Sequence, residues 1–252
     1  MTKKAKFWSM KQNEGADNAE IFIDGEITSD EWEDSDTSAA GFRDDLKQLG
    51  NPKEINLHIN SPGGSVFEGI AIYNMLKQNS ARVNTYVDGL AASIASVIAM
   101  SGDTIFMPSN SMMMIHNPWT MAVGNATELR KQADDLDQIT KSSVSTYLDK
   151  AGDKLDEATL QKLMDDETWL TAQEAVNYGL ADQVLSANAA AASISKKFAE
   201  RYHNVPEKLQ FVTVEPAVNS EWLEKVKEKA ELRAQQAENL NKIIGGELYE
   251  SL

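Results

Sequence analysis

Cysteine is absent from this 252-residue chain, histidine occurs only three times, and aromatic residues make up 7% of it. The first absence excludes a disulfide framework and any cysteine-based zinc or redox site. The second leaves few places where imidazole chemistry can sit. No apolar run approaches the roughly 20 residues of a membrane span, and the Lys-containing start lacks the apolar core of a signal peptide, so a cytoplasmic setting and no membrane partner are expected. Positive charge is also scarce. With 24 Lys and Arg against 39 Asp and Glu, the formal charge is -15, which argues against a nucleic-acid partner because phosphate contacts need clustered cations. Phosphate-loop and dinucleotide glycine patterns are missing, so any ATP-dependent work belongs to a separate protein.

What is present is a 42% hydrophobic chain, long enough to bury one substantial core plus an accessory segment. Ala19 to Gly25 alternates like a short strand. Ser29 to Thr37 carries Asp30, Glu31, Glu33, Asp34 and Asp36, which read as a solvated acidic loop and not a metal site, since no histidine joins them. Ser38 to Leu49 has Phe42, Leu46 and Leu49 on one helical stripe. Glu54 to Asn60 alternates again, turns at Ser61-Pro-Gly-Gly-Ser65, and gives way to an amphipathic helix marked by Val66, Ile70, Tyr73 and Leu76. Arg82 to Asp88 supplies the next strand. Tandem strand-helix crossovers predict parallel strands joined right-handedly, with both turns on one sheet edge. Carboxyl ends of parallel strands are where α/β folds build sites, which places Gly63-Gly64 beside the next turn.

That next turn is Gly89-Leu-Ala-Ala-Ser-Ile-Ala-Ser96, read as a strand-to-helix junction opening a helix of small residues. Its bland reading is a packed helix. Its chemical reading is an acyl-transfer nucleophile, with the Ser93 hydroxyl aimed out of the sheet edge and free amides beside it to hold developing negative charge. Gly63 and Gly64 lack Cβ, so an extended ligand can lie close, and the N–H groups of Gly64 and Ile94 suit an oxyanion hole. Alone, Pro-Gly-Gly is merely a turn. A serine nucleophile needs a base. His58 sits mid-strand, where a packed and satisfied histidine is expected, and His203 lies in a polar extension. His116 ends the apolar run Met112 to Ile115 immediately before Asn117-Pro118, at a strand end that reaches the sheet edge.

Further on, Asn125-Ala-Thr-Glu128 is a capping-box start to a long helix ending near Gly152, with Leu129, Ala133, Leu136, Ile139 and Ser143 on one side. It is too long to pack only locally. Asp156 to Met164 is another helix, Thr171-Ala-Gln-Glu174 a second capping box, and Ala181 to Leu185 a last short strand. The acidic cluster Asp165-Asp166-Glu167 either supplies a carboxylate that orients His116 or is a surface loop.

Four motifs, Ile59-Asn-Ser-Pro-Gly-Gly64, Gly89-Leu-Ala-Ala-Ser93, Met114-Ile-His-Asn-Pro118 and Leu170-Thr-Ala-Gln-Glu-Ala-Val-Asn-Tyr-Gly-Leu-Ala-Asp182, stand in the order found in the Clp-protease proteolytic subunit. Over roughly Ala19 to Leu185 the chain resembles that serine peptidase family. Within it, the Phe7-Trp8 start, the Gly25-Glu-Ile-Thr-Ser-Asp-Glu-Trp32 segment and Asp166-Glu-Thr-Trp-Leu170 look most like phage- or prophage-encoded members, several of which are thought to mature the phage head. The resemblance implies Ser93 as nucleophile, His116 as base, and Gly63, Gly64 and Ile94 as the oxyanion and substrate-binding edge, with no metal or cofactor. The third member departs from the family: an Asp is expected two residues before the aromatic-Leu pair, where this chain has Glu167 with Asp166 adjacent. Glutamate can orient an imidazole, but its extra methylene requires a different backbone or rotamer.

The implied fold is an α/β superhelix of β-β-α units shared with crotonases, with a long handle helix at Asn125 to Ala151. The implied partners are a protein or peptide substrate bound by strand addition along Gly63-Gly64, further copies in a homo-oligomeric ring, and an AAA+ unfoldase or phage capsid proteins. The peptidase domain is expected over residues 1–186, and 187–252 is expected to be a linker and a helical C-terminal extension. In the extension, Ala187 to Ser195 reads as linker and Asn219 to Ile244 as a helix bearing Leu223, Val226, Ala230, Ala237, Leu240 and Ile244, either docked on its own domain or held for a partner. Two other classes remain open: a catalytically idle capsid assembly or scaffolding protein, for which the Glu167 departure speaks, and an acyl-CoA-processing crotonase relative, against which the paired Ser93 and His116 motifs speak.

Overall fold

A computed structural model of the chain describes residues 6–12, 17–28, 38–187 and 201–206. The acidic loop, most of the expected linker and the expected helix at Asn219 to Ile244 lie outside the described residues.

Three alternating segments form the centre of the sheet: β2 (Asn18–Asp24), β3 (Glu54–Ser61) and β4 (Arg82–Ala92), paired in parallel. Their alternate residues Ile21, Ile23, Ile55, Leu57, Ile59, Val83 and Val87 are buried, as period-2 patterning over one covered face requires. The cover includes α1 (Ala39–Gln48), α2 (Val66–Lys77) and the short α3 (Ile94–Ala99), whose Phe42, Ile72, Leu76 and Ile98 join the same core. On the opposite face Phe22, His58, Tyr86 and Phe106 stack ring on ring at 4.8, 5.0 and 4.9 Å. His58 is held there by Asp88 at 2.9 Å and Glu20 at 3.2 Å, the satisfied packing histidine expected from its mid-strand position.

The strand β1 (Trp8–Gln12), which the sequence pattern did not announce, pairs antiparallel with β2 and closes one edge. Beyond the centre, β4 divides its partners. Asn84–Tyr86 pairs with β5 (Thr104–Pro108), and Leu90–Ala92 pairs with β6 (Met112–Ile115), both parallel. β4 therefore runs past the expected strand end at Asp88 through Gly89-Leu-Ala-Ala92, the helix begins at Ile94, and Ser93 stands at the strand-to-helix turn where it was expected. β7 (Thr168–Thr171) pairs antiparallel with β6, and β8 (Gln183–Leu185) pairs with β5, giving an eight-stranded sheet among the described residues.

The remaining helices are α4 (Ala126–Ala151), α5 (Glu157–Asp165) and α6 (Ala172–Asn177). Both expected capping boxes form, at Asn125/Glu128 and Thr171/Glu174, satisfying amides that the first helical turn leaves unpaired. Only the C-terminal half of α4 reaches the core, through Val144, Tyr147 and Ala151, while Leu129 is 44% exposed. This mixed α/β architecture, with one sheet and one long projecting helix, is the fold that the motif resemblance implies. Among the described residues no helix is long and apolar enough to cross a membrane.

Candidate active site

Strand register builds the site. β4 and β6 run parallel with Ala92 opposite Met114, so the residues leaving the two strands emerge at one edge: Ser93 from β4 and, past Ile115, His116 from β6. The backbone ties the two exits together where Ser93 N–H donates to Met114 O at 2.9 Å. Across that edge the Ser93 hydroxyl and His116 Nε2 meet at 2.7 Å. In the tautomer with its proton on Nδ1, the imidazole accepts the Ser93 O–H, the arrangement in which a base withdraws a proton from a nucleophile.

Ser93 has φ 56° and ψ -130°, a left-handed conformation that disfavours side chains by about 1–3 kcal/mol unless its surroundings impose it. Here they do. The Ser93 carbonyl accepts from Ser96 N–H at 2.9 Å and from the Ser96 hydroxyl at 2.6 Å. Ser96 Oγ lies 2.7 Å from the hydroxyl of Tyr147, a fully buried residue of α4. Since Ser96 has spent its single proton on Ser93, Tyr147 is the donor to Ser96. Burial pushes the Tyr147 phenol above its ordinary value, against the Ser96 hydrogen bond, so it keeps that proton. The sharp turn at Ser93 thus hangs on a chain reaching into the long helix.

The two glycines are explained by space as much as by backbone angle. Gly63 and Gly64 have φ 93° and 147°; a Cβ on Gly63 would stand 2.7 Å from Ser93 Cβ, and one on Gly64 would stand 2.0 Å from Ile27 O. Their segment is clamped to Ile27 by Ile27 N–H to Gly63 O at 2.9 Å and Ser65 N–H to Ile27 O at 2.8 Å. The Gly63 amide is already engaged, donating to the buried Ser61 Oγ at 3.1 Å. The Gly64 and Ile94 amides have no acceptor among the described residues. Of the expected edge, then, Gly63 supplies closeness, and the two donors available to an oxyanion are those of Gly64 and Ile94.

His116 is pulled below the ordinary imidazole range chiefly by burial; the Glu167 carboxylate pushes it up and His203 pushes it down. A neutral imidazole at pH 7 is the competent form of a base. Glu167 is itself buried and occupies the position just after the α5 terminus with φ 47°, where glycine is usual. No hydrogen bond joins it to His116; its Oε1 accepts instead from Asn204 N–H at 2.8 Å. Asp166, the other candidate, pairs at 2.5 Å with Lys162 along the exposed side of α5, away from the imidazole. Of the two acids, Glu167 is the one whose charge is felt at His116.

The residues missed from sequence are Ser96, Tyr147 and, most of all, Tyr202 and Asn204. The segment Arg201–Pro206 returns from the expected extension into the same compact unit as the sheet. Tyr202 packs edge-on against His116 with ring centroids 5.5 Å apart, and Asn204 contacts both Glu167 and Asp166. Ser96 had a faint signal, three residues beyond Ser93 in the first turn of α3. Tyr202 had none, because its partners are distant in sequence. A cleft of about 290 Å³ remains beside it, bounded by Glu26, Gly64, Ser93, His116, Trp119 and Tyr202 among others.

Comparison with known proteins identifies the family. A sequence profile described as Clp protease matches residues 10–188. The chain is 38% identical over 138 residues to the ATP-dependent Clp protease proteolytic subunit 1 of Protochlamydia amoebophila, covering 53% of this chain and 66% of that protein. It is 38% identical over 142 residues to the ATP-dependent Clp protease proteolytic subunit of Pleurastrum terricola, covering 55% and 71%. With the corresponding subunit of Ligilactobacillus salivarius it shares 39% identity over 135 residues, covering 53% and 68%. The matches thus span about two thirds of each relative.

Proposed function

The chain belongs to the Clp protease family, and from that premise we propose that it is a serine peptidase in which Ser93 is the nucleophile and His116 the general base. The observation that carries the reading is the 2.7 Å contact between Ser93 Oγ and the partly buried His116 Nε2 at the joint edge of two parallel strands. In this mechanism an extended peptide lies along the Gly63-Gly64 edge by strand addition. Ser93 attacks the scissile carbonyl while His116 takes the hydroxyl proton, and the oxyanion is met by the Gly64 and Ile94 amides. His116 then returns the proton to the leaving amine, and water, activated by the same imidazole, hydrolyses the acyl-enzyme. Glu167 supports the imidazolium through its charge. Removing one oxyanion donor in comparable sites lowers turnover by about a hundred- to a thousandfold.

Further copies and a cytoplasmic setting belong to the same proposal. The half of α4 that leaves the core presents Leu129, with Trp119, Met121 and Val123 of the preceding loop exposed, which suits a handle that meets another subunit in a ring. The narrower reading, a phage or prophage head-maturation peptidase acting on capsid proteins, rests on the Phe7-Trp8 start and the acidic segment; an AAA+ unfoldase is the other expected partner.

The test is hydrolysis of an unstructured protein substrate. The wild-type chain should cleave it, and Ser93→Ala and His116→Ala should each bring turnover to background while leaving the unfolding temperature and the oligomer mass unchanged. Full turnover by Ser93→Ala would remove this mechanism. Absence of turnover in the wild type, with and without an unfoldase, would favour the idle scaffold.

A further inference from the structure

We infer that the cleft carries a paired recognition site for a basic side chain followed by an aromatic one, and that Arg201-Tyr202 of the same chain is its resident occupant. The inference rests on reading Ser93 and His116 as the peptidase site, and it concerns what that site binds.

Consecutive residues of Arg201–Asn204 meet different parts of the site. Arg201 Nη1 pairs with Glu26 Oε1 at 2.8 Å, both side chains partly buried. The Tyr202 ring stands edge-on to His116 and to Trp169, with centroids 5.5 and 5.8 Å away. Its hydroxyl donates to the Pro62 carbonyl, and the residue lines the same cleft as Ser93. His203 bears on His116 through its charge. Asn204 N–H donates to Glu167 at 2.8 Å, and its side-chain amide donates to Asp166 O at 2.7 Å. Beneath Tyr202 and Val205 lies a second apolar cluster of Leu90, Ala92 and Met114, separate from the main core.

The slot is formed by three neighbouring strands of the sheet: Leu90 and Ala92 from β4, Met114 from β6 and Trp169 from β7 present an apolar floor that an aromatic ring fills. The Glu26 carboxylate gives that slot a neighbour of fixed charge, suited to a guanidinium or ammonium. What stands in the cleft beside Ser93 and His116 is a phenol ring, which offers no scissile bond. The segment therefore occludes the nucleophile and is not placed to be cut by it. Because the occupant is tethered, its effective concentration is on the order of millimolar, enough to hold a weak ligand in place yet open to competition from a substrate with the same two side chains.

The experiment uses the full chain and a small fluorophosphonate that modifies Ser93, with the modification rate as readout. Tyr202→Ala should raise the rate about tenfold, and Arg201→Ala, which touches Glu26 and leaves the aromatic slot intact, about threefold, as for ligands weakened by that factor. Added acetyl-Arg-Tyr-His-Asn-amide should slow modification of the Tyr202→Ala chain. Acetyl-Arg-Ala-His-Asn-amide should not, and Glu26→Gln in the same background should weaken the protection several-fold. Ser93 modified at one rate in wild type, Tyr202→Ala and Arg201→Ala, with no protection by the peptide, would overturn the inference while leaving the peptidase reading intact. A Ser93 that no variant allows to react would remove both.

Discussion

The hydrogen-bond chain Tyr147 to Ser96 to Ser93 O sets how firmly the turn at Ser93 is held. Tyr147 is 1% exposed and its hydroxyl lies 2.7 Å from Ser96 Oγ, which lies 2.6 Å from the Ser93 carbonyl. Ser96→Ala removes the acceptor and strands a buried phenol O–H, whose unmet desolvation amounts to about 1–3 kcal/mol, besides one of the two bonds to Ser93 O. Tyr147→Phe removes only the donor and leaves Ser96 bonded to Ser93, so about 1 kcal/mol is expected. The double variant removes both polar groups together and should lose less than the sum of the two by about 1 kcal/mol. For a chain of this size each kcal/mol corresponds to roughly 2–4 °C. Thermal unfolding of the four proteins reads the stability terms, and the rate of Ser93 modification reads the positioning. Ser96→Ala should slow modification more than Tyr147→Phe, because it alone loosens the left-handed turn. Strict additivity in stability, with modification equal in both single variants, would refute the chain as the support of Ser93.

Other consequences follow from the same geometry. Gly64→Ala places a Cβ 2.0 Å from a backbone oxygen that cannot move aside, so a loss of about 3 kcal/mol or more and failure of Ser93 modification are expected by calorimetry and labelling; an unchanged melting temperature would contradict it. Since burial depresses His116 below 6.5, the acid limb of kcat/KM should lie below that pH, and Glu167→Gln should move it lower still because the carboxylate pushes the imidazole up; an upward move would contradict the assignment. The two histidines pull stability in opposite directions with pH. His58 is lowered by burial but raised more by Asp88 and Glu20, the net being upward, so its contribution is full below 6.5 and is lost as pH rises through the raised value. The depressed His116 instead withdraws stability as pH falls below 6.5. Melting curves of His58→Gln and wild type should therefore differ more at pH 6 than at pH 8. Finally, Glu167→Gly relieves a left-handed φ by about 1 kcal/mol while removing the charge beside His116, so the variant should lose turnover without a matching loss of melting temperature.

What could be read in the sequence was local or periodic. β2, β3 and the first half of β4 declared themselves by alternation, and the two capping boxes by their spacing. Ser93 and His116 could be paired because a parallel sheet delivers strand ends to one edge. β4 was cut short because Gly89-Leu-Ala-Ala92 has the small-residue composition of a helix, whereas pairing with β6 keeps it extended. β1 escaped because Trp8-Ser-Met-Lys-Gln12 buries only its first residue fully, too little alternation to register as a strand. Glu167 could be named as the acid, but its left-handed backbone and its bond to Asn204 depend on how α5 ends and on a segment far along the chain. Tyr202 shows the limit most plainly: its place is set by Pro62, His116 and Trp169, which only the folded chain assembles.

The central claim is that Ser93, activated by His116, is the nucleophile of this chain. Prolonged treatment with a fluorophosphonate followed by mass spectrometry of the proteolysed adduct tests it directly. A single phosphonyl group on Ser93, lost in His116→Ala, is the predicted result. A chain that stays unmodified at Ser93, or that is modified equally well without His116, would contradict it.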